Sequence, residues 1–532
     1  MSSSSSTVGD EKAQVSSIPR WRLIFDDSAV TQDVIDHPYP GSGTTDDPYI
    51  ISWIPNDPRD PMAFSNASKW GILFLISLTT LAVALASSAY TGALVEIITD
   101  FQISEEIFTL GISLFVIGFA LGPVIWSPLS EHFGRRPVHI ISAMALTVFC
   151  AGAAGAQNIQ TLLILRFFAG SLGSAPMAVP GGVIADIFPA IYRGLAGGIW
   201  AIAPFLGPSI GPLVGGFLGQ SAGWRWVQGL LAVFSGVVWL AVIFLLPETY
   251  PPLLMRKRAA KLEKITGKVY RSSLETEQTS LPVHKTLIVA LSRPWVMLFT
   301  EPIVLLLSLY MAIVYGILYL FFAAFPIVFQ KHRGWSEGET GLAFLGITVG
   351  IFFSVVSAAF FFSLYVKKAI KAAPSLLPPE ARLPDSFLGA IMLPVGLFWF
   401  AWTNSPSVHW MAPVAAGIPF GYGMVSVFIP LFNYLIDGYT IYAASVLAAN
   451  SILRSIFGAV FPLFTTYMFD DLGLHWAASI PAFLALACVP LPFFFYVFGA
   501  RIRAKCHFSA ESTAFVQKIM AARAAAAAES KD

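Results

Sequence analysis

The chain has few charged residues and almost no cysteine. Charged residues make up 12% of its 532 residues, whereas soluble domains contain about 25%. The three cysteines follow no disulfide or metal-ligand spacing, and the eight histidines never form an H-x-x-x-H pair. This argues against a disulfide scaffold and against a metal-dependent membrane enzyme. A net charge of +1 gives no electrostatic basis for binding nucleic acid.

Other motifs are also missing. No loop of the form G-x-x-x-x-G-K-[ST] is present, so ATP is not expected to supply energy and an ion gradient takes its place. We recognise no pairing of a nucleophile with a base and therefore expect neither an enzyme nor a cofactor. No signal peptide is visible, because the first 20 residues are polar and the first apolar run follows Lys69.

Hydrophobic residues, in contrast, make up 56% of the chain, and its mean hydropathy is +0.70. A helix that crosses a bilayer needs about 20 apolar residues. The sequence therefore predicts an all-α integral membrane protein with twelve spans in two six-helix halves. The predicted spans are 71–93, 107–128, 138–156, 162–186, 194–219, 226–246, 301–329, 340–364, 387–404, 409–433, 441–468 and 475–498. The predicted regions are a disordered tail over 1–68, an N-terminal half over 69–246, a central loop over 247–300, a C-terminal half over 301–498 and a C-terminal tail over 499–532.

The distribution of Lys and Arg predicts the orientation. These residues concentrate in the two tails and in the loops after spans 2, 4, 6 and 8, with a dense cluster between Arg256 and Lys268. By the positive-inside rule, both tails and the central loop are expected in the cytoplasm. The Asn66 glycosylation sequon would then also lie in the cytoplasm, and we expect it to be unmodified. Six spans followed by six favour a transporter whose halves rock around a site near the bilayer midplane.

Charged residues near the spans are the first candidates for mechanism. Arg166 lies inside span 4, where an ionised Arg costs at least about 2.5–3.5 kcal/mol on the insertion scale. It is expected to face the bundle interior and to pair with a carboxylate, carbonyls or water. The alternative is a structural Arg that extends to the interface. In the loop after span 2, Arg135 and Arg136 can pair with Glu131 or with Asp186 at the end of span 4, and such a cluster can stabilise one conformation.

A second set of residues could line a substrate cavity. It comprises Glu301, Tyr310, Tyr315, Tyr319, Asn450 and Arg454. A carboxylate beside aromatic rings can bind cationic amphiphiles or exchange protons. The alternative for Glu301 is capping of the helix that follows it. Asn450 and Arg454, spaced i and i+4, share one helical face.

Span 5 contains a run of helix breakers from Gly207 to Gly216. In a helix interior each Gly costs about 1 kcal/mol and each Pro about 3 kcal/mol relative to Ala. In a membrane, small residues also let two helices approach closely. The run therefore predicts a bent, tightly packed helix, which suits a moving part of a transporter.

These motifs resemble those of a known family. Gly207, Gly211, Pro212, Gly215 and Gly216 match the antiporter signature G-x-x-x-G-P-x-x-G-G. The loop after span 2 is similar to the signature G-x-L-x-D-R-x-G-R-R, although Ser127, Glu131 and His132 replace its first Gly, its Asp and its first Arg. Together with the Pro247-Glu248-Thr249 stretch after span 6, these residues resemble the major facilitator superfamily, specifically the fungal 12-spanner drug:proton antiporters. The resemblance covers about residues 55–505.

The resemblance implies the major facilitator fold and a proton-coupled antiporter. Such a protein exports hydrophobic or amphiphilic small molecules (drugs, antifungals or an endogenous secondary metabolite or toxin) across the plasma membrane by alternating access. Arg166 resembles the span 4 arginine that the family associates with proton transfer. The implied partners are the substrate, protons and the lipid bilayer, and we expect a monomer. Two alternatives stay open: proton-coupled uptake of a nutrient or polyamine-like solute, and a transport-dead sensor that signals through its tails.

Overall fold

The computed structural model describes residues 18–273, 283–372 and 377–529. Ten helical stretches in these ranges are long and apolar enough to cross a membrane, and Ile159–Gly173 is a shorter apolar helix. Spans 1 to 6 are Asn66–Phe101, Glu105–Phe133, Arg135–Ala154, Ile159–Gly173 with Pro180–Ile187, Ile191–Ala222, and Trp224–Leu245. Spans 7 to 10 are Pro302–Lys331, Glu337–Lys368, Asp385–Thr403 and Met411–Gly438. Spans 11 and 12 lie together in Thr440–Arg503.

The ten long stretches and the shorter helix Ile159–Gly173 together make twelve spans because of two local irregularities. Gly473 has φ of 70° inside the continuous stretch Ala443–Cys488, so the chain reverses there and the stretch is two crossings. Span 4 is broken between Gly173 and Pro180, so its first part alone is short. The all-α fold with twelve membrane helices in two halves is thereby confirmed.

Several spans contain breaks in their helical geometry. Span 1 changes from α-helix to a 3₁₀ segment at Ala89–Ala93, and span 5 consists of Ala190–Trp200 and Ala203–Ala222. Span 7 ends as a π-helix over Pro326–Lys331. The α-helical segments of span 8 are Glu337–Leu342 and Leu345–Ala372, and those of span 10 are Met411–Ala415 and Gly417–Gly438. Such breaks free backbone groups, which neighbouring helices satisfy inside a bundle.

The segment before span 1 corrects the expectation of a disordered tail for residues 18–65. It forms the helices Arg20–Phe25 and Gln32–Asp36 and the strand Tyr49–Ile51. This strand pairs in parallel with Tyr270–Ser272 of the central segment, with Ile50 opposite Arg271.

The central segment supplies the apolar and charged partners that the tail lacks by itself. Its helix Pro251–Thr266 buries Leu262 in a small core with Val34 and Ile51 of the tail. Arg258 also forms a buried ion pair with Asp57, at 3.0 Å between Nη2 and Oδ1. Residues about 200 apart in sequence therefore fold together.

The C-terminal tail lies at the same end of the bundle. Its helix His507–Glu529 begins beside the start of span 7, where the Phe508 N–H donates to Glu301. The helix Val283–Thr300 leads into that span. We call this end of the bundle the tail side and the opposite end the far side.

Candidate functional site between the two halves

Arg166 is buried inside the N-terminal half and is 2% exposed. Its Nε donates to the Gly111 carbonyl at 2.9 Å, and its two Nη atoms donate to the carbonyls of Ser87 (3.1 Å) and Ala86 (3.4 Å). Its Cζ lies 4.0 Å from the centre of the Tyr90 ring. No carboxylate among the described residues forms a salt bridge with it. Arg166 thus faces the bundle interior, where backbone carbonyls of spans 1 and 2 are its partners.

A short polar chain leads from Arg166 into the C-terminal half. Ser87, whose carbonyl binds Arg166, places its Oγ 2.7 Å from the hydroxyl of Tyr319 in span 7. The Tyr315 hydroxyl donates to that of Tyr319 at 3.3 Å. Tyr315 and Tyr319 were predicted to line a cavity, whereas Ser87 was missed because small hydroxyl residues are common in membrane helices.

Arg454 lies at the other end of this chain and is 5% exposed. Its Cζ lies 4.8 Å from the centre of the Tyr315 ring and 5.3 Å from that of Phe428. Its Nε is buried and has no hydrogen-bond partner in the described part of the chain, and the same holds for the hydroxyls of Ser451 and Ser455 on the same helix. Within the described ranges, no carboxylate pairs with Arg454.

Aromatic rings from both halves surround this position. Phe205 of span 5 packs edge-on against Phe428, with ring centres 4.9 Å apart, and lies 6.2 Å from Tyr315. Trp200 and Phe432 extend the contact towards the tail side at 6.0 Å. Sequence reasoning could not select these rings, because the chain contains 44 Phe residues.

Two of the predicted cavity residues face other neighbours. Tyr310 precedes Tyr315 by five residues, which places it about 140° around the helix. Its hydroxyl is buried without a hydrogen-bond partner. Asn450 donates from Nδ2 to the Met311 sulfur at 3.7 Å, so its amide contacts span 7.

Glu301 does not lie beside the tyrosines, which corrects that expectation. It is the residue before the helix Pro302–Phe325, on the tail side, and it is buried. Its carboxylate accepts hydrogen bonds from the Tyr439 hydroxyl at 2.8 Å and from the Phe508 N–H at 3.0 Å. Glu301 therefore joins span 10 and the C-terminal tail. It occupies the N-cap position of the helix that follows, but its side chain makes no capping hydrogen bond there.

A charge cluster lies where span 3 begins on the tail side. Arg135 Nε is 3.2 Å from Asp186, and its Nη1 donates to the Ser130 hydroxyl at 2.6 Å. Glu131 is exposed, and its side chain forms no salt bridge with a described residue. Of the two acidic partners considered for Arg135, the structure brings only Asp186 to it. Arg136 instead donates to the carbonyls at the end of span 6.

Glu248 is the central acceptor of this cluster, although the sequence pattern assigned it no role. Its carboxylate accepts the backbone N–H groups of Arg135 (2.9 Å), Arg136 (3.1 Å), Thr249 (2.9 Å) and Tyr250 (2.9 Å). A carboxylate at a helix N-terminus is favoured by the helix dipole. Burial raises the pKa of Tyr250 to about 12, so its ring stays neutral beneath Arg135.

The C-terminal half repeats this arrangement. Arg382, before span 9, is 3.0 Å from Asp437 at the end of span 10. Arg135, at the start of span 3, and Asp186, at the end of span 4, occupy the corresponding places in the first half. The two halves thus share a charge pair that the span count alone could not reveal.

The signature glycines of span 5 pack against span 1. A Cβ at Gly207 would lie 2.5 Å from that of Ala84, and one at Gly211 would lie 2.8 Å from the Ala89 nitrogen. A Cβ at Gly215 would also overlap the Ala89 backbone. Because no side chain fits between the two helices, these glycines permit the close approach that the sequence predicted.

The same helix contacts the other half on the far side. A Cβ at Gly216 would lie 2.5 Å from the Glu337 carbonyl oxygen, and one at Gly341 would lie 2.5 Å from the Pro212 carbonyl oxygen. The Glu337 carboxylate accepts the Val95 N–H of span 1 at 2.7 Å. We call this contact, formed by Val95, Pro212, Gly216, Glu337 and Gly341, the far-side seam. At this seam the two halves are in contact, so the bundle is closed on the far side.

Two six-span halves that meet at buried arginines and aromatic rings have the architecture of a membrane transporter. The chain belongs to the Major Facilitator Superfamily, whose family model matches residues 76–462. This confirms the resemblance drawn from the span 5 and span 2 signatures.

Closely similar proteins occur in several fungi. "MFS-type efflux pump MFS2" of Trichophyton rubrum is 60% identical over 97% of this chain and 86% of its own length. "Major facilitator superfamily multidrug transporter mdrA" of Aspergillus fumigatus is 57% identical, covering 96% and 84%. "Efflux pump FUBT" of Fusarium oxysporum is 52% identical, covering 94% and 84%. Among solved structures, the proton:xylose symporter XylE shares the fold, with a TM-score of 0.59 at 16% identity over 82% of this chain and 96% of that one.

Proposed function

We propose that this protein exports hydrophobic or amphiphilic small molecules by alternating access and that proton entry drives the export. The names of its fungal relatives, efflux pumps and a multidrug transporter, support the direction. The observation that carries the proposal is the far-side seam. Because the two halves meet there, substrate can be released on the far side only when they separate at this contact. We also propose that the tail side faces the cytoplasm at the plasma membrane, in accord with the positive charge of the tails and central segment.

The composition of the seam favours a contact that opens and closes. Gly216 and Gly341 bring backbone against backbone, and the Phe217 ring of span 5 lies against Gly338 of span 8, which has no side chain to enclose it. Span 5 and span 1, in contrast, both belong to the N-terminal half and move together in a rocking motion. The signature glycines would then serve a rigid contact within one half and a separable contact between the halves.

Glu337 offers a route for proton coupling at the seam. As an anion it accepts the Val95 N–H across the boundary between the halves. Hydrogen bonds to an ionised acceptor are about twice as strong as neutral ones. A proton that reaches Glu337 from the far side would therefore weaken the seam and favour release of substrate. Net proton entry then requires that this proton leaves towards the tail side, and its loss would restore the anion and favour closure of the seam.

Aromatic rings between the halves support a substrate position near the middle of the bundle. Phe205, Tyr315 and Phe428 present apolar faces near the middle of the bundle. Hydrophobic ligand sites are lined mainly by such side chains, with a few polar groups that orient the ligand. This lining favours a hydrophobic substrate over a sugar-like nutrient.

Transport in proteoliposomes tests the proposal. Movement of a hydrophobic cation and of a hydrophobic anion is measured with the pH gradient imposed in each direction and with none. We expect accumulation that depends on opposing proton flow and disappears with a proton ionophore. Equal movement without a gradient would point to a facilitator and contradict the coupling.

The variant Glu337→Gln tests the proposed proton site. We expect it to lose accumulation driven by the pH gradient while it still exchanges substrate. Glu339→Gln is the matched control, because Glu339 lies two residues away and only caps its own helix through Ser336. Full gradient-driven accumulation by Glu337→Gln would exclude this carboxylate as the coupling group.

A further inference from the structure

The position of Arg454 supports a further inference about the chemical class of the substrate. This inference rests on the proposed function. Arg454 lies 11 residues after Ala443, where its helix begins on the tail side. At 1.5 Å per residue this is about 17 Å into the membrane. The hydrocarbon core is about 30 Å thick, so the guanidinium lies near the midplane, where transporters of this kind bind substrate.

The centre of the bundle is positively charged. Arg166 and Arg454 are both buried, and neither forms a salt bridge with a carboxylate in the part of the chain that the structure describes. The acidic residues of the spans, such as Asp186, Glu337 and Asp437, lie near the two ends of the bundle. A buried charge without a counter-ion is costly, and ionisable groups within a membrane mark substrate or ion pathways.

The two arginines differ in whether their guanidinium N–H groups already have hydrogen-bond acceptors. Arg166 places Nε and both Nη atoms on backbone carbonyls. Among the residues that the structure describes, the buried Arg454 Nε has no acceptor, and the buried hydroxyls of Ser451 and Ser455, within one turn, have no partner either. Three unmet polar groups on one segment of helix are matched by a ligand that brings several acceptor oxygens.

The surroundings of Arg454 also limit the shape of such a ligand. The guanidinium lies over Tyr315 and Phe428, and Phe205 from the other half packs against both rings. A flat apolar body can stack among these rings while an anionic group at its edge contacts the guanidinium. A cation at the same place would meet the Arg454 guanidinium and no carboxylate from the described residues.

We infer that the midplane site takes flat organic anions, with the anionic group bound by Arg454 and the apolar body held by Tyr315, Phe428 and Phe205. Carboxylates and sulfonates share the required chemistry, since both offer several oxygens to a guanidinium. The inference revises the expectation of cationic amphiphiles, which depended on a carboxylate beside the tyrosines.

Equilibrium binding to the full chain in lipid nanodiscs tests this inference. Three probes share one ring system: naphthalene-2-sulfonate, the neutral naphthalene-2-sulfonamide and a naphthyl trimethylammonium. We expect the sulfonate to bind most tightly. Arg454→Gln should weaken sulfonate binding by about thirtyfold or more, as when one partner of a buried charge pair is removed, and leave sulfonamide binding within about twofold.

Two further variants keep the result interpretable. Arg454→Lys should recover part of the sulfonate affinity because it keeps the charge but loses the planar fork. Arg225→Gln is the matched control, because Arg225 lies half-exposed on the far side and pairs with Asp100. It should leave binding of all three probes unchanged.

Three outcomes would overturn the inference. These are tightest binding of the ammonium probe, an equal loss of sulfonate and sulfonamide affinity in Arg454→Gln, and no binding of any probe to the unaltered protein. Failure of this inference and failure of the proposed function are distinguishable. Gradient-driven transport of a cation without sulfonate binding would refute only the substrate class. Sulfonate binding without gradient-driven transport would refute only the coupling.

Discussion

Arg166 and Arg454 are equally buried, one in each half, yet their surroundings are opposite. Arg166 donates to three backbone carbonyls and lies 4.0 Å from an aromatic ring centre. Arg454 has aromatic rings beside it, but no described residue provides an acceptor for its Nε. A buried charge that the backbone already satisfies holds helices together, whereas one left unsatisfied is available to a ligand. The same residue type at similar depth therefore supports two different roles.

The geometry of span 1 explains why carbonyls are available to Arg166. The span changes from α-helix to a 3₁₀ segment at Ala89–Ala93, just after Ala86 and Ser87. A change of helical hydrogen-bond register disturbs the regular ladder and leaves carbonyl lone pairs free. Gly111 of span 2, whose carbonyl accepts from Arg166, leaves room for the Tyr90 ring, because a Cβ there would lie 2.8 Å from the Tyr90 hydroxyl oxygen. No similar break lies beside Arg454 on its own helix.

The largest expected effect comes from removing each charge in turn. Arg166→Met leaves three buried carbonyls without their donor, which costs about 1 kcal/mol each in the free energy of unfolding, and we expect it to abolish transport. Arg454→Met removes an unpaired charge, so without ligand the melting temperature should stay the same or rise. Thermal unfolding in one lipid, with transport measured in parallel, checks both. An equal loss of stability in the two variants would contradict the proposed difference between Arg166 and Arg454.

A second test concerns the rigidity of the half that holds Arg166. Gly211→Leu places a side chain against Ser88 and Ala89 of span 1, where overpacking costs about 1–3 kcal/mol. We expect transport to be lost while the protein still reaches the membrane. Gly71→Leu is the control, because a Cβ at Gly71 meets no neighbour within 4 Å. Transport and surface-expression assays on both variants measure this, and normal transport by Gly211→Leu would refute the close-packing role.

The smallest expected effect concerns the link between the two arginines. The Ser87–Tyr319 hydrogen bond joins the halves at 2.7 Å, and such a bond contributes about 1 kcal/mol. In a double-mutant cycle of Ser87→Ala and Tyr319→Phe, we expect a coupling energy of about 0.5–1.5 kcal/mol in unfolding free energy. Strictly additive effects would show that the two hydroxyls do not stabilise the contact between halves.

The success of the span prediction has a simple physical cause. In lipid each backbone group must be bonded within its own helix, so long apolar runs are bound to be helical crossings. Even so, the stretch containing Gly473 would count as one helix without its reversed φ, and span 4 is interrupted near Pro176. Such features depend on one or two residues and on neighbouring packing rather than on hydropathy.

The sequence was less informative where partners lie far apart along the chain. The tail over residues 18–65 is polar and looks disordered, but its partners Arg258 and Leu262 follow about 200 residues later. Glu301 was placed beside the tyrosines because they share a helix, although 14 residues of helix extend about 21 Å. Glu248 was noticed only as part of a resemblance, since its four N–H donors come together only in the folded chain.

By itself the sequence determined the twelve-span architecture, the close packing of span 5 and the presence of charged residues that must face the bundle interior. These follow from hydropathy, from the size of glycine and from the cost of a charge in hydrocarbon, all of which are local properties. The tertiary structure decided which of those charges find partners. It gave Arg166 three carbonyls and left the Arg454 Nε without an acceptor among the described residues, beside an aromatic cluster built from both halves. Hydrogen-bond satisfaction depends on residues that only folding brings within about 3 to 4 Å.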